Sequence, residues 1–186
     1  MKRKEPRYFH IVPLIAALAV AGWLGWQPAR AEGESKELQA VAQALGKSKL
    51  SLLAGIRQAS QGSAKAISAK FELEDGKLSL SVYTAEKGLA VPAEKNVLQE
   101  LSGSPEQDKW TPKVEVFKDV PHVARSAEQL AVMSLGRKSL AAVIAEVRKT
   151  HAGTVFSITP AIRNHRPVAV VLLANKGKVT TVPQPL

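Results

Sequence analysis

The sequence contains no cysteine and few aromatic residues. Without thiols the chain can form no disulfide and no cysteine-based zinc site, and it cannot attach haem through sulfur. Aromatic residues make up 5% of the chain, and two of the three tryptophans, Trp23 and Trp26, lie near the N-terminus. Because nucleic-acid surfaces combine a concentrated basic stripe with stacking aromatics, nucleic acid is not expected as a partner.

The motifs that mark common catalytic sites are also missing. There is no His-Glu-x-x-His pair and no Gly-x-Ser-x-Gly elbow. Gly46-Lys47-Ser48 lacks the earlier glycine of a phosphate loop, because Val41 stands there. His151, at a predicted helix end, and His165, in a predicted turn, are interpreted as solvated residues, with a metal or pH-sensing role as the alternative. The sequence therefore predicts a protein that is not an enzyme and needs no cofactor.

The first 31 residues have the layout of a secretory signal peptide. A basic start precedes a largely apolar run at residues 11–26, and the small residues Ala29 and Ala31 follow. The run includes Pro13 and is shorter than the roughly 20 apolar residues of a membrane-spanning helix. We therefore predict cleavage after Ala31, export to the periplasm and no membrane attachment after cleavage.

Removal of the signal lowers the net charge of the chain from +10. It takes away five of the 26 Lys and Arg residues and one of the 16 Asp and Glu residues, which leaves a net charge of +6. The remaining charges of both signs are interspersed along the chain. Such a distribution is typical of a solvated basic surface and adds no argument for nucleic acid.

A repeated pattern organises the remainder of the chain. Each half has a helical stripe of apolar residues at positions i, i+4 and i+7, and the two stripes stand 88 residues apart. Their members are Leu52, Ile56 and Ala59 in the first half and Leu140, Ile144 and Val147 in the second. An alternating strand, a charged turn and a returning strand follow each helix. The predicted unit is helix, strand, turn, strand, turn, strand, present twice.

Three segments depart from a simple repeat. Pro160 interrupts the first strand of the second half, which is expected to be bulged or at a sheet edge there because proline cannot donate to a ladder. Residues 93–101 fit either a helix or a hairpin with a turn at 94–96. Residues 123–135 are predicted to form a helix, and the tail, 181–186, is expected to be extended and loose.

The helix followed by a hairpin, with phrases such as Gly76-Lys77-Leu78 and residues 91–98, resembles the PepSY domain. That family often ends its unit with a Val-Asp-Ala-x-Thr-Gly-Lys-Val-Leu-like phrase. Pro92 replaces the aspartate and Asn96 replaces the glycine, and asparagine can adopt the same left-handed turn. The resemblance favours the hairpin interpretation of 91–101.

The resemblance implies an α+β protein with two tandem PepSY-like units, each a helix packed on an antiparallel sheet of about three to four strands. The implied divisions are a signal peptide at 1–31, a first unit with a connecting segment at 32–121 and a second unit at 122–186. PepSY domains occur in propeptides of thermolysin-type metalloproteases and in bacterial envelope proteins. The family is thought to bind and restrain peptidases.

Few residues stand out as candidates for contact with a partner. Trp110 is the sole tryptophan after residue 31 and fits either a core position or a partner anchor. Glu72 and Glu74 share the polar face of a predicted strand, where they are either solvated or in contact with a partner; paired carboxylates for acid–base work are the third interpretation.

The functional hypothesis is a noncatalytic exported module that binds another envelope protein, a peptidase by the resemblance, through edge-strand addition. The alternative is a periplasmic carrier of a small ligand or metal in a cleft between the repeats, near His151 or His165. A hydrolase with an unfamiliar site is a third class.

Overall fold

The computed structural model describes residues 28–186, with side chains from residue 35 onward. Most of the predicted signal peptide lies outside this range, and cleavage after Ala31 stays a prediction. The α-helices of the described part are α1 (Pro28–Ala44), α2 (Leu52–Ala59), α3 (Val120–Leu135) and α4 (Leu140–Thr150). The strands are β1 (Lys65–Glu74), β2 (Lys77–Ala85), β3 (Leu98–Gly103), β4 (Lys113–Val116), β5 (Thr154–Arg163), β6 (Arg166–Asn175) and β7 (Lys178–Pro185).

All seven strands belong to one antiparallel sheet, in the order β4-β3-β2-β1-β5-β6-β7. The predicted α+β class is confirmed. The expected arrangement of one helix on its own sheet in each half is corrected, because each half contributes two helices and the sheet is shared. Within residues 28–186, no helix is long and apolar enough to cross a bilayer.

The helices α2 and α4 form for the reasons that the sequence indicates. The hydroxyl of Ser51 accepts a hydrogen bond from the amide of Ala54 at 3.2 Å, and Ser139 caps α4 through Ala142 at the same distance. Both apolar stripes are buried in a hydrophobic core that includes residues of both halves. Helix α2 approaches β2 closely at Gly55, which has no side chain to separate the two elements.

The two first hairpins have the same geometry at a spacing of 89 residues. A two-residue turn joins β1 to β2 through Asp75 and Gly76, and another joins β5 to β6 through Asn164 and His165. All four turn residues have positive φ, as a type I′ turn requires. A bulge also occurs near the start of β1 and at the equivalent place in β5.

The halves join where β1 pairs with β5. This pairing covers two residues of each strand, one of the pairs being Ala69 and Ile158. If the register is extended, Pro160 lies opposite Ile67, within the bulged part of β1. Pro160 is therefore in a central strand and not at an edge, and the bulge of β5 lies nearer its start. The missing N–H of Pro160 removes no hydrogen bond from the sheet, because the β1–β5 pairing has ended before this residue.

The connection from β2 to β3 is held by the side chain of Asn96. Its Nδ2 donates to the carbonyls of Gly88 (2.8 Å) and Val91 (2.9 Å). Its Oδ1 accepts from the amides of Lys87 (3.0 Å) and Val97 (2.9 Å). The expected left-handed turn at Asn96 is wrong, since its φ is −94°. The predicted strand is present as β3, whereas the expected pairing strand at residues 91–92 is absent.

The last residues of the chain pair with β6 as strand β7. The amide of Leu186 donates to the carbonyl of Pro167 at 3.2 Å. The tail is thus extended, as expected, but it is not loose. The predicted helix at 123–135 is confirmed within the longer α3, which contacts β1 and β3 of the first half as well as β5 and β6.

Candidate functional site

The two edges of the sheet differ in what they offer to another strand. Because the amide of Leu186 points to β6, the even-numbered residues of β7 face β6 and the odd-numbered ones face outward. Pro183 and Pro185 are therefore outward-facing, and neither has an N–H to donate. Prolines at such positions block further strand pairing, so the β7 edge is closed over much of its length.

The β4 edge is open by the same reasoning. The amide of Phe117 donates to the carbonyl of Leu98 in β3 at 3.0 Å, so odd-numbered residues face β3. Val114 and Val116 consequently direct both their N–H and their C=O groups away from the sheet. All four residues of β4 are exposed, and nothing within residues 28–186 pairs with its outer edge.

Exposed apolar side chains are concentrated beside this edge. Six large hydrophobic residues are exposed among those whose side chains the structure describes, and four of them lie between residues 114 and 123. Their exposed fractions are 56% for Val114, 46% for Val116, 79% for Val120 and 37% for Val123. Concentrated exposed apolar surface is typical of an interaction site. We call β4 and these valines the open edge.

A cluster of polar side chains lies on the sheet next to the open edge. Residues paired in register share one face of the sheet, and Lys70, Ser81 and Tyr83 share theirs with Glu72 and Glu100. The buried hydroxyl of Ser81 donates to Oε1 of Glu72 at 2.6 Å, while the ammonium of Lys70 forms an ion pair with Oε2. These five residues are called the polar cluster.

Burial raises the pKa of Glu100, the neighbouring hydroxyl of Ser81 opposes this effect, and the charge of Glu72 adds to it. Burial also raises the pKa of Tyr83, with the charges of Glu100 and Glu72 as further causes. Glu100 and Tyr83 lie directly opposite each other on β3 and β2. The cluster contains no histidine, and Lys70 neutralises Glu72. The arrangement holds the carboxylate of Glu72 between a hydroxyl donor and an ammonium group.

The second half has no counterpart to the polar cluster. At a spacing of 89 residues, the positions of Lys70, Glu72, Ser81 and Tyr83 are occupied by less polar side chains. The occupants are Thr159, Ala161, Val170 and Leu172. The repeated backbone therefore carries the polar cluster in its first half only.

The structure separates the three residues that the sequence indicated for partner contact. Trp110 is only 3% exposed; its Nε1 donates to the carbonyl of Gly103 at 3.3 Å. The indole is a core group and is not available to a partner. Glu72 belongs to the polar cluster, whereas Glu74 is exposed at the end of β1, opposite Lys77.

Sequence reasoning did not place Glu100 and Tyr83 in a polar cluster, and it did not identify the exposure of Val114 and Val116. The alternation Lys-Val-Glu-Val in residues 113–116 was the available signal for an exposed edge strand. The cluster had no local signal, because three strands contribute to it.

The predicted histidines do not line the cleft between the two halves. His151 is exposed at the end of α4, and His165 is exposed in its turn. A cleft of about 300 Å³ lies between Ile56 and Arg57 of the first half and Met133 of the second, and neither histidine lines it. Within the described part of the chain, no group of three or more His, Asp or Glu residues could hold a metal ion.

The open edge is the feature best suited to contact another protein, and the polar cluster borders it. Backbone groups and apolar side chains are both accessible there, which is the combination that strand addition uses. Comparison of the chain with protein-family models, with curated proteins and with solved structures finds no match.

Proposed function

We propose that the chain is a noncatalytic exported module that binds an extended segment of another protein at the open edge. The observation that carries this proposal is the contrast between the two edges. Prolines 183 and 185 remove outward donors from β7, whereas Val114 and Val116 present theirs on β4. In strand addition, backbone hydrogen bonds supply affinity and alternate side chains supply selectivity.

The exposed valines support the same use of the edge. A partner strand paired with β4 would cover Val114 and Val116, and its flanking residues could cover Val120 and Val123 near the start of α3. Burial of apolar surface contributes roughly 25 cal/mol per Å². Backbone pairing and apolar burial would therefore act together at one place.

The proposed partner is a peptidase of the periplasm, which the chain would inhibit or otherwise regulate. This part rests on the resemblance to PepSY domains, read as two tandem units at 32–121 and 122–186. The order of elements supports the duplication, because both halves run helix, helix, strand, strand, strand, and the first half adds β4 after them. The shared turns and bulges at a spacing of 89 residues support it further.

The proposal is tested by closing the open edge with proline. In Val114→Pro/Val116→Pro, two outward N–H groups disappear, while the ladder with β3 is retained because neither group donates to it. Thr181→Pro in β7 is the matched control, since residue 181 also faces outward. Circular dichroism and thermal melting establish that both variants fold.

Binding is measured by capture from an envelope extract with residues 32–186, followed by a peptidase assay of the captured protein with and without the chain. We expect the original chain and Thr181→Pro to capture the same protein and change its activity. The β4 variant should lose at least about tenfold in affinity, as the loss of two or more hydrogen bonds requires. A folded β4 variant that captures and regulates equally well would contradict the proposal.

A further inference from the structure

The charged residues of β4 are arranged so that the strand complements itself. Lys113 and Glu115 lie on one face of the strand, and Val114 lies between them on the other. When two copies of β4 run antiparallel with Val114 opposite Val114, each Lys113 is opposite a Glu115 of the other copy. Opposite charges in directly facing positions stabilise a strand pair, whereas like charges destabilise it.

The backbone groups fit the same register. Val114 faces outward, so two copies can exchange a pair of N–H···O=C bonds at this residue. Val116 would face Pro112 of the other copy, whose carbonyl can accept although its nitrogen cannot donate. In this register every charge on β4 faces an opposite charge, and the two exposed Val114 side chains meet.

Two observations support pairing between β4 strands of two copies. An exposed edge strand with apolar side chains is an aggregation hazard that proteins usually cover or block. This chain blocks β7 with Pro183 and Pro185 but has no such residue within β4. Its own centre also joins two strands antiparallel through equivalent residues, Ala69 and Ile158. Pairing β4 with a second β4 would repeat that geometry.

We infer that β4 pairs with β4 of a second copy of this chain, and that this dimer covers the open edge when no partner strand is bound. The inference rests on the proposed function, because dimer and partner would then compete for the same backbone groups. The interface is small, so the dimer is weak and its population depends on protein concentration. Partner binding would release monomers.

Charge exchange tests the inference. We expect sedimentation of residues 32–186 over about a hundredfold range of concentration to show a monomer–dimer equilibrium. Lys113→Glu or Glu115→Lys alone places like charges opposite each other and should raise the dissociation constant at least about tenfold. Lys113→Glu/Glu115→Lys together restore opposite charges and should restore the dimer.

A crosslink locates the contact. Because the chain has no cysteine, Val114→Cys introduces a single thiol, and facing residues in a strand pair lie within disulfide range. We expect rapid disulfide-linked dimers from Val114→Cys and not from Val179→Cys, which faces outward on β7. A chain that stays monomeric throughout, or a dimer that survives both single charge reversals, would overturn the inference.

These results can be distinguished from a failure of the proposed function. Strand addition of a partner uses the backbone of β4 and does not require Lys113 to face an acidic group. If the dimer is absent while the proline variant still loses its partner, the inference fails and the proposed function stands. If the dimer forms but no captured peptidase responds, only the proposed function fails.

Discussion

Asp75 and Asn164 stand 89 residues apart and have the same φ, +50°, at the first position of their hairpin turns. Few residue types adopt this left-handed conformation, and aspartate and asparagine are among those that do. The second turn positions differ, with Gly76 at φ +75° and His165 at φ +61°. The two hairpins thus have the same left-handed turn conformation, formed by different residue types.

This difference predicts the sign of two substitutions. His165→Gly removes a side chain from a left-handed residue and should stabilise the protein by several tenths of a kcal/mol, up to about 1 kcal/mol. Gly76→Ala should destabilise it by about 1 kcal/mol through backbone strain, because no atom would obstruct the new Cβ. Urea unfolding measures both changes. A loss of stability in His165→Gly would show that the imidazole has a role of its own.

Substitution of Asn96 should loosen the β2–β3 connection. Asn96→Ala removes a side chain that makes four hydrogen bonds to backbone groups, at about 1 kcal/mol for a typical bond. We expect a loss of about 2–3 kcal/mol in the free energy of unfolding. Asn96→Asp keeps both acceptor bonds but turns a carboxylate oxygen toward the carbonyls of Gly88 and Val91, so it should also destabilise the protein. Equal stability of all three proteins would contradict this account.

Gly55 in α2 should accept a side chain only at a cost in stability. A Cβ there would lie 2.5 Å from Cδ2 of Leu80, so Gly55→Ala must displace the Leu80 side chain, which is fully buried in the core. Overpacking of this kind costs about 1–3 kcal/mol. Gly46→Ala is the control, since a Cβ at Gly46 would meet nothing within 4 Å. Thermal melting of the two variants should therefore give clearly different midpoints.

Glu100 should make the protein less stable as the pH rises. Its pKa in the folded protein is raised above the ordinary value of 4.5, so the folded state holds a proton that the unfolded chain has released. The resulting contribution to stability is fully present below pH 4.5 and is lost as the pH rises through the raised pKa. Glu100→Gln should remove this decline.

Urea midpoints measured between about pH 4 and pH 8 check the effect. Glu86→Gln removes an exposed carboxyl outside the polar cluster and should retain the decline seen in the original chain. If Glu100→Gln shows the same pH dependence as Glu86→Gln, the polar cluster does not hold a protonated carboxyl.

Much of the local structure could be predicted from the sequence because short-range patterns determine it. Helices α2 and α4 follow from apolar stripes with a serine before each, and the hairpins follow from alternation around polar turns. The conformation of Asn96 could not be predicted in this way. Its side chain reaches backbone groups up to nine residues away, and these contacts replace the left-handed turn that its residue type suggested.

The long-range features lay beyond such patterns. A junction of two residue pairs fixes the single sheet, and no periodicity indicates which strands of two halves will meet. The polar cluster depends on the register of three strands, which brings Glu72, Ser81 and Glu100 to one face. The open edge depends on which residues of β4 face outward, and this follows from the register of β4 against β3.

The meeting of β1 and β5 at the middle of the sheet has a consequence for any attempt to dissect the molecule. In a fragment that ended after β4, β1 would become an unpaired edge strand. The fragment would also lose α3, which packs on β1 and β3. The fragment from the other side would carry β5 uncovered in the same way. Each fragment would need another strand to pair with its exposed edge. We therefore expect the two halves to fold together when they are co-expressed, and neither half to fold well by itself.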